Sequence, residues 1–182
     1  MKRLMYLPML LAILVLAACS DGEAPTQEPS EEIEVTMING DEEEIGAATF
    51  SEADDGLTIA LEAEGLEPGI HGIHIHNAGV CEGPDFKTAG DHYDPTDAAH
   101  GFDHEDGPHA GDLENIEVAE DGTVSTEINA ENVSILDENL DNTLLTEEGT
   151  ALIIHSGEDD YMTQPSGDAG TPVACGVISE AK

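Results

Sequence analysis

Gly72-Ile73-His74-Ile75-His76 decides the reading of this chain. Two β-branched residues alternate with two histidines, and a period of two belongs to a β-strand, whose successive side chains point to opposite faces. His74 and His76 therefore project from one face, where the two rings can grip one metal ion.

Outward from this strand, short runs of alternating or β-branched character recur at 33–38, 46–51, 57–63, 113–119, 123–129, 151–155 and 173–179. Turn signals divide them: Asn39-Gly40, Asp55-Gly56, Glu67-Pro68-Gly69 and Asp121-Gly122. No segment carries a sustained helical period. The expectation is an all-β domain, an eight-stranded Greek-key barrel or sandwich. Two long irregular stretches, 77–111 and 157–172, interrupt the strands, and loops of that length in a compact domain are usually functional.

Those stretches hold or flank more metal-type side chains. His92, His100, His109 and Asp112 stand eight, nine and three residues apart, enough chain to wrap a tetrahedral site of three histidines and one aspartate, a set that zinc accepts. His155 ends another strand. Imidazoles with a single carboxylate suit copper and zinc, whereas calcium and magnesium prefer all-oxygen shells. A pair of adjacent ions accounts for six of the eight histidines. Of the other two, His71 precedes the ligand strand off the face of His74 and reads as a structural hydrogen-bonding residue. His104, among Asp103, Glu105 and Asp106, reads as solvated.

The N-terminus is a targeting segment. Lys2 and Arg3 precede an apolar stretch, 4–16, too short for a convincing membrane span, so 1–18 reads as an export signal peptide. Leu16-Ala17-Ala18-Cys19 looks like a lipobox, with lipid on Cys19 and cleavage before it; the alternative is an ordinary secretory signal with a chance cysteine. Residues 19–32 are acidic, contain proline and lack an apolar period. They cannot bury enough surface to offset the entropy of ordering, which makes them a flexible tether. The domain then runs from 33 to 182. It is expected outside the cytoplasm, facing the periplasm or the cell exterior, and held to the membrane by lipid alone.

Cys81 and Cys175 remain once Cys19 is set aside. In an exported chain one disulfide is the economical reading, against two buried free thiols. Closing so long a loop contributes about 3–5 kcal/mol in the chain-entropy model.

The chain has 41 acidic and 4 basic residues. Lys2 and Arg3 leave with the leader, so Lys87 and Lys182 set against 41 acids give a mature charge of −39. That field excludes nucleic acid and anionic membrane surfaces as partners. It also destabilises a compact state unless salt screens it. A halophilic source is expected; an acidic secreted protein from an ordinary habitat is the alternative.

Read in order, the motifs resemble the copper/zinc superoxide dismutase family: Gly72-Ile73-His74-Ile75-His76, Cys81, Ala89-Gly90-Asp91-His92-Tyr93-Asp94-Pro95, His100-Gly101, His109-Ala110-Gly111-Asp112-Leu113, His155, Asp159, and Gly170 through Ala174-Cys175-Gly176-Val177-Ile178. The resemblance spans roughly residues 33–180. It implies a flattened eight-stranded Greek-key barrel with both metals held outside it by the long loops. His74, His76, His92 and His155 would hold a catalytic copper, and His92, His100, His109 and Asp112 a zinc, with His92 shared as an imidazolate. Asp159 would link His74 to His100, and Cys81 would pair with Cys175. Asp91 and Asp94 flank His92 but match no ligand position.

The implied reaction converts two superoxide anions and two protons into oxygen and hydrogen peroxide through a copper redox cycle, with a redox-silent zinc. One departure stands out. The family places an arginine three residues before the second disulfide cysteine to dock the anion, and this chain has Pro172, which offers neither charge nor donor. Slower dismutation is expected, with Lys87 lending at most partial compensation. A copper/zinc-binding surface lipoprotein without significant dismutase activity is the alternative reading.

Overall fold

The computed structural model describes residues 32–53, 56–131, 133–136 and 142–182. The leader, Cys19, the tether up to residue 31 and Asp55 of the second turn signal lie outside the described residues.

The alternation read from the sequence is realised strand by strand. In β3 (Gly56–Ala63) every second residue, Leu57, Ile59, Leu61 and Ala63, is buried. β1 (Glu32–Asn39) contributes Val35 and Met37, and β2 (Glu44–Ala53) contributes Ala48 and Phe50. β4 (Gly69–His71), β5 (Ile73–His76), β6 (Ile116–Val118), β7 (Val124–Glu131), β8 (Thr150–His155) and β9 (Pro172–Ser179) complete the set. β1 begins at Glu32, one residue inside the stretch assigned to the tether.

Seven strands form one antiparallel sheet in the order β5-β8-β9-β1-β2-β3-β7, and β4 pairs with β6 in a second, two-stranded sheet. β4 leads through Gly72 into β5, and β6 turns at Asp121-Gly122 into β7, where Gly122 N donates to Ala119 O. The β4–β6 pair therefore joins the two edge strands of the larger sheet and curls it into a Greek-key barrel. Fully burying each large side chain inside contributes roughly 1.5–3 kcal/mol.

Two expectations need correction. The strand expected at 72–76 begins at Ile73, and a separate strand that was not expected, β4, precedes it, which makes nine among the described residues. Gly72 N donates to Gly157 O and Gly72 O accepts from His155 N, so the chain switches at this residue from pairing with β6 to pairing with β8. The strand at 113–119 shrinks to Ile116–Val118, because the peptide N–H of Asn115 is taken by the Tyr161 hydroxyl and is lost to the ladder.

β5 and β8 are buried on both faces. Ile73, Ile75, Leu152 and Ile154 enter the main core. On the opposite face Ala151 and Ile153 pack with Phe86, Ala89 and Cys175 in a second small core. That cluster fastens a short 3-10 turn, Lys87–Ala89, to the outside of the barrel, and the Cys81–Cys175 disulfide, Cα–Cα 5.7 Å, secures the same loop to β9.

Candidate metal centre

The outer face of β5 and β8 is where the histidines gather. His74 stands opposite Ile153 and His76 opposite Ala151, and directly opposed residues share a face. His155 follows Ile153 by two and joins them there. The first long loop, 77–115, supplies the next residues by pairing along the free edge of β5. Tyr93 N donates to Ile75 O, Ile75 N to Gly111 O and Gly111 N to Tyr93 O. This short ladder sets His92 against His76 and Asp112 against His74.

Second partners fix each ring. His74 Nε2 lies 2.7 Å from Asp159 Oδ2, His76 Nδ1 2.9 Å from Gly90 O and His155 Nδ1 3.2 Å from Gly170 O. His92 Nδ1 lies 2.8 Å from Asp112 Oδ1. Each ring thereby aims its other nitrogen inward. Among the described residues, His74 Nδ1, His76 Nε2, His92 Nε2 and His155 Nε2 are the buried side-chain nitrogens and oxygens without a hydrogen-bond partner. Donor atoms of these four residues lie within 4.8 Å of one another. Buried polar atoms are otherwise almost always paired, so four convergent orphaned lone pairs are a fitting cradle for an ion that favours imidazole, such as copper.

A second set meets around Asp112. Its Oδ2 accepts from the backbone N–H of Gly101 and His109, at 2.8 and 3.0 Å. Oδ1 is left facing the Nδ1 atoms of His92, His100 and His109 at 2.8, 3.0 and 3.2 Å. Three imidazole nitrogens around one carboxylate oxygen fit a tetrahedral zinc shell. Donor atoms of His74, His92, His100 and Asp112 also lie within 4.8 Å of one another. His74, however, spends Nε2 on Asp159 and turns Nδ1 to the first set, so His109 is the better fourth member. His92 alone belongs to both sets, one nitrogen to each.

Electrostatics separate the halves. Burial first, and then the neighbouring histidines, lower the pKa of His74 to about 3, of His76 to about 2 and of His155 to about 4, leaving neutral rings with lone pairs available. Burial also pushes His100 down, but Asp112 and Asp159, both bonded to its ring, raise it to about 9. Burial pushes both of those carboxyls up, and the hydrogen bonds from the histidines nonetheless hold them well below the usual carboxylate range.

The second long loop, 156–171, closes over this arrangement. Asp159 joins the halves, with Oδ2 on His74 Nε2 and Oδ1 3.0 Å from His100 Nε2. Three residues not singled out in the sequence hold that loop down. Asn115 clamps the Asp159 backbone, accepting from its N–H and donating to its carbonyl, at 3.0 and 2.9 Å. Gln164 does the same to the backbone of His100. Gly167 lies against the Asp159 carboxylate. No period or spacing marks Asn115 and Gln164, because their partners lie 44 and 64 residues away.

The remaining candidates fall as follows. His71 is buried with its ring nitrogens 2.7 Å from His155 O and Glu67 O, a structural role. His104 is half-buried and accepts only a local bond from Asp106 N. Lys87 is exposed and ion-paired with Asp85, so its charge is neutralised where it stands. Pro172 is the first residue of β9 and pairs directly with His155.

Comparison with known proteins agrees with this geometry. The family model for copper/zinc superoxide dismutase (SODC) matches residues 44–178. The chain is 38% identical to the superoxide dismutase-like protein YojM of Bacillus subtilis, over 98% of this chain and 96% of that protein. It is 43% identical to Cu-Zn superoxide dismutase 2 of Aquifex aeolicus, over 78% of this chain and 83% of that one. The crystal structure of a SOD-like protein from Bacillus subtilis aligns with TM-score 0.77 and 39% identity, covering 80% of this chain and 97% of the other. With its barrel, its two nitrogen-rich donor sets and the histidine common to both, the chain belongs to the copper/zinc superoxide dismutase family.

Proposed function

We propose that this protein dismutates superoxide, two anions and two protons giving oxygen and hydrogen peroxide, with copper at His74, His76, His92 and His155 and zinc at His92, His100, His109 and Asp112. The observation that carries the reading is the convergence of four buried ring nitrogens that have no partner in the protein. Bound copper supplies the one-electron couple, and bound zinc a fixed positive charge.

The chain's own part is orientation and proton handling. Gly90 O, Gly170 O and Asp159 hold three rings with their free nitrogens inward, which spares reorganisation when charge changes at the site. His92 Nδ1 is fixed by Asp112, so Nε2 is the atom at which this ring can accept a proton and return it to a departing peroxide.

The proposal includes a lowered rate. Beside His155 stands Pro172, and Lys87 is committed to Asp85, so no arginine and no free lysine of that loop docks the anion there. Loss of one docking cation costs about 1–3 kcal/mol, or about ten- to a hundredfold in rate. Export and anchoring through lipid on Cys19 form part of the same proposal, supported by the sequence of 1–19. Among the described residues no helix is long and apolar enough to cross a membrane.

The test is metal content together with dismutation in the wild type, His155→Ala and His109→Ala. The wild type is expected to hold one copper and one zinc per chain, His155→Ala to lose copper and activity, and His109→Ala to lose zinc while keeping copper. Stoichiometric copper with no dismutation beyond that of free copper would instead favour a metal-binding surface lipoprotein, the reading that Pro172 supports.

A further inference from the structure

His100 receives support from the second loop at two levels. Its ring meets Asp159 Oδ1, and its backbone N–H and C=O meet Gln164. Gln164 Oε1 accepts from His100 N at 2.9 Å, while Nε2 donates to His100 O and to Met162 O, each at 2.9 Å. The network fixes which end of the amide is which: the two carbonyls require the NH2 group, and the N–H requires the oxygen. The residues are 64 apart in the chain, and Gln164 itself is exposed. Next to the clamp, Gly101 at φ +97 allows Tyr161 O an approach that a β-carbon would block, and Asp103 N donates to that same Tyr161 carbonyl at 3.1 Å.

We propose that Gln164 is a positioning residue for zinc: by gripping the backbone N–H and C=O of His100, on either side of its α-carbon, it sets where His100 Nδ1 lies relative to Asp112 Oδ1. A side chain that bonds to both the N–H and the C=O of one residue holds the two peptide units that flank its α-carbon, and so fixes the position and tilt of that residue, whereas a single bond leaves rotation about itself. The His100 ring is already aimed by Asp159, so the amide clamp supplies the constraint that the ring contact cannot. The clamp also ties the 156–171 loop to the zinc half of the centre. The inference rests on the assignment of zinc to His92, His100, His109 and Asp112.

The experiment uses the full chain with its disulfide intact, as wild type and Gln164→Ala, with Gln164→Ser in reserve should the alanine variant fail to fold. Zinc affinity is measured by chelator competition, the ligand field of the site by cobalt(II) substitution, and the His100 amide by hydrogen exchange. Zinc binding is expected to weaken about ten- to a hundredfold, as for partners that orient a ligand, with an altered cobalt spectrum and faster exchange at His100. Copper affinity and the melting temperature of the metal-free protein are expected to stay near wild type. Unchanged zinc affinity in the variant overturns the role of Gln164 and leaves the proposed function standing. Equal loss of both metals marks general loosening and also overturns it. A wild type that binds no zinc removes the zinc assignment itself, and this inference with it.

Discussion

Gly167 lies so close to Asp159 that a β-carbon on it would overlap Oδ1 of the carboxylate and crowd His100 Nε2. Its φ of +67 is also one that L side chains rarely adopt. The carboxylate that joins the two donor sets is thus seated against bare backbone. In Gly167→Ala the backbone conformation alone costs about 1–2 kcal/mol, and Asp159 has to move off one of its two histidines. Expected outcomes are a lower melting temperature and a zinc affinity reduced about ten- to a hundredfold. A variant with wild-type zinc affinity would show that the position tolerates a side chain and that the contact is incidental.

Pro172 sits opposite His155 at the start of β9, a position where proline removes no needed ladder bond. Pro172→Arg places a guanidinium beside the copper-side donor set. Dismutation by this variant is expected to exceed wild type about ten- to a hundredfold in dilute buffer. The gain should shrink toward 1 M salt, where the screening length is about 3 Å. Stopped-flow decay of superoxide across ionic strength checks it, and identical rates for the two proteins at every salt concentration would remove the docking argument.

The histidines give the metal-free protein a pH profile with two limbs. His74, His76 and His155 have folded values of about 3, about 2 and about 4, below the ordinary 6.5, so the unfolded chain binds protons first. Their contribution is whole above pH 6.5 and is lost as pH falls toward 4. His100 is raised to about 9, so its contribution is whole below pH 6.5 and is lost as pH rises through 9. Urea midpoints of metal-free protein are expected to peak near neutrality, with His100→Ala flattening the alkaline limb. A midpoint constant from pH 5 to 9 would contradict both shifts.

Charge makes stability depend on salt. Against 41 acidic residues, Lys87 is neutralised locally by Asp85, and the remaining like charges repel in the compact state. The melting temperature is expected to rise from dilute buffer to 2 M KCl. A flat curve would argue against adaptation to high salt.

Much of the centre was legible before any tertiary contact was known. The period of two around Ile73 and Ile75 sent His74 and His76 to one face, and the spacing of His92, His100, His109 and Asp112 marked a wrapped loop. Strand boundaries at 69–76 and 113–118 were less legible, because Gly72 and Asn115 spend their backbone N–H groups on partners in the distant 156–171 loop.

By itself the sequence determined the inventory of metal-type side chains and the face on which the strand histidines project, since short-range sterics alternate side chains residue by residue. Only the tertiary structure decided which nitrogen each ring keeps free, and that Asn115 and Gln164 fasten one loop to the other. Those outcomes depend on hydrogen bonds between residues 14 or more apart in the chain, and no local periodicity encodes a contact that exists only after the barrel has closed.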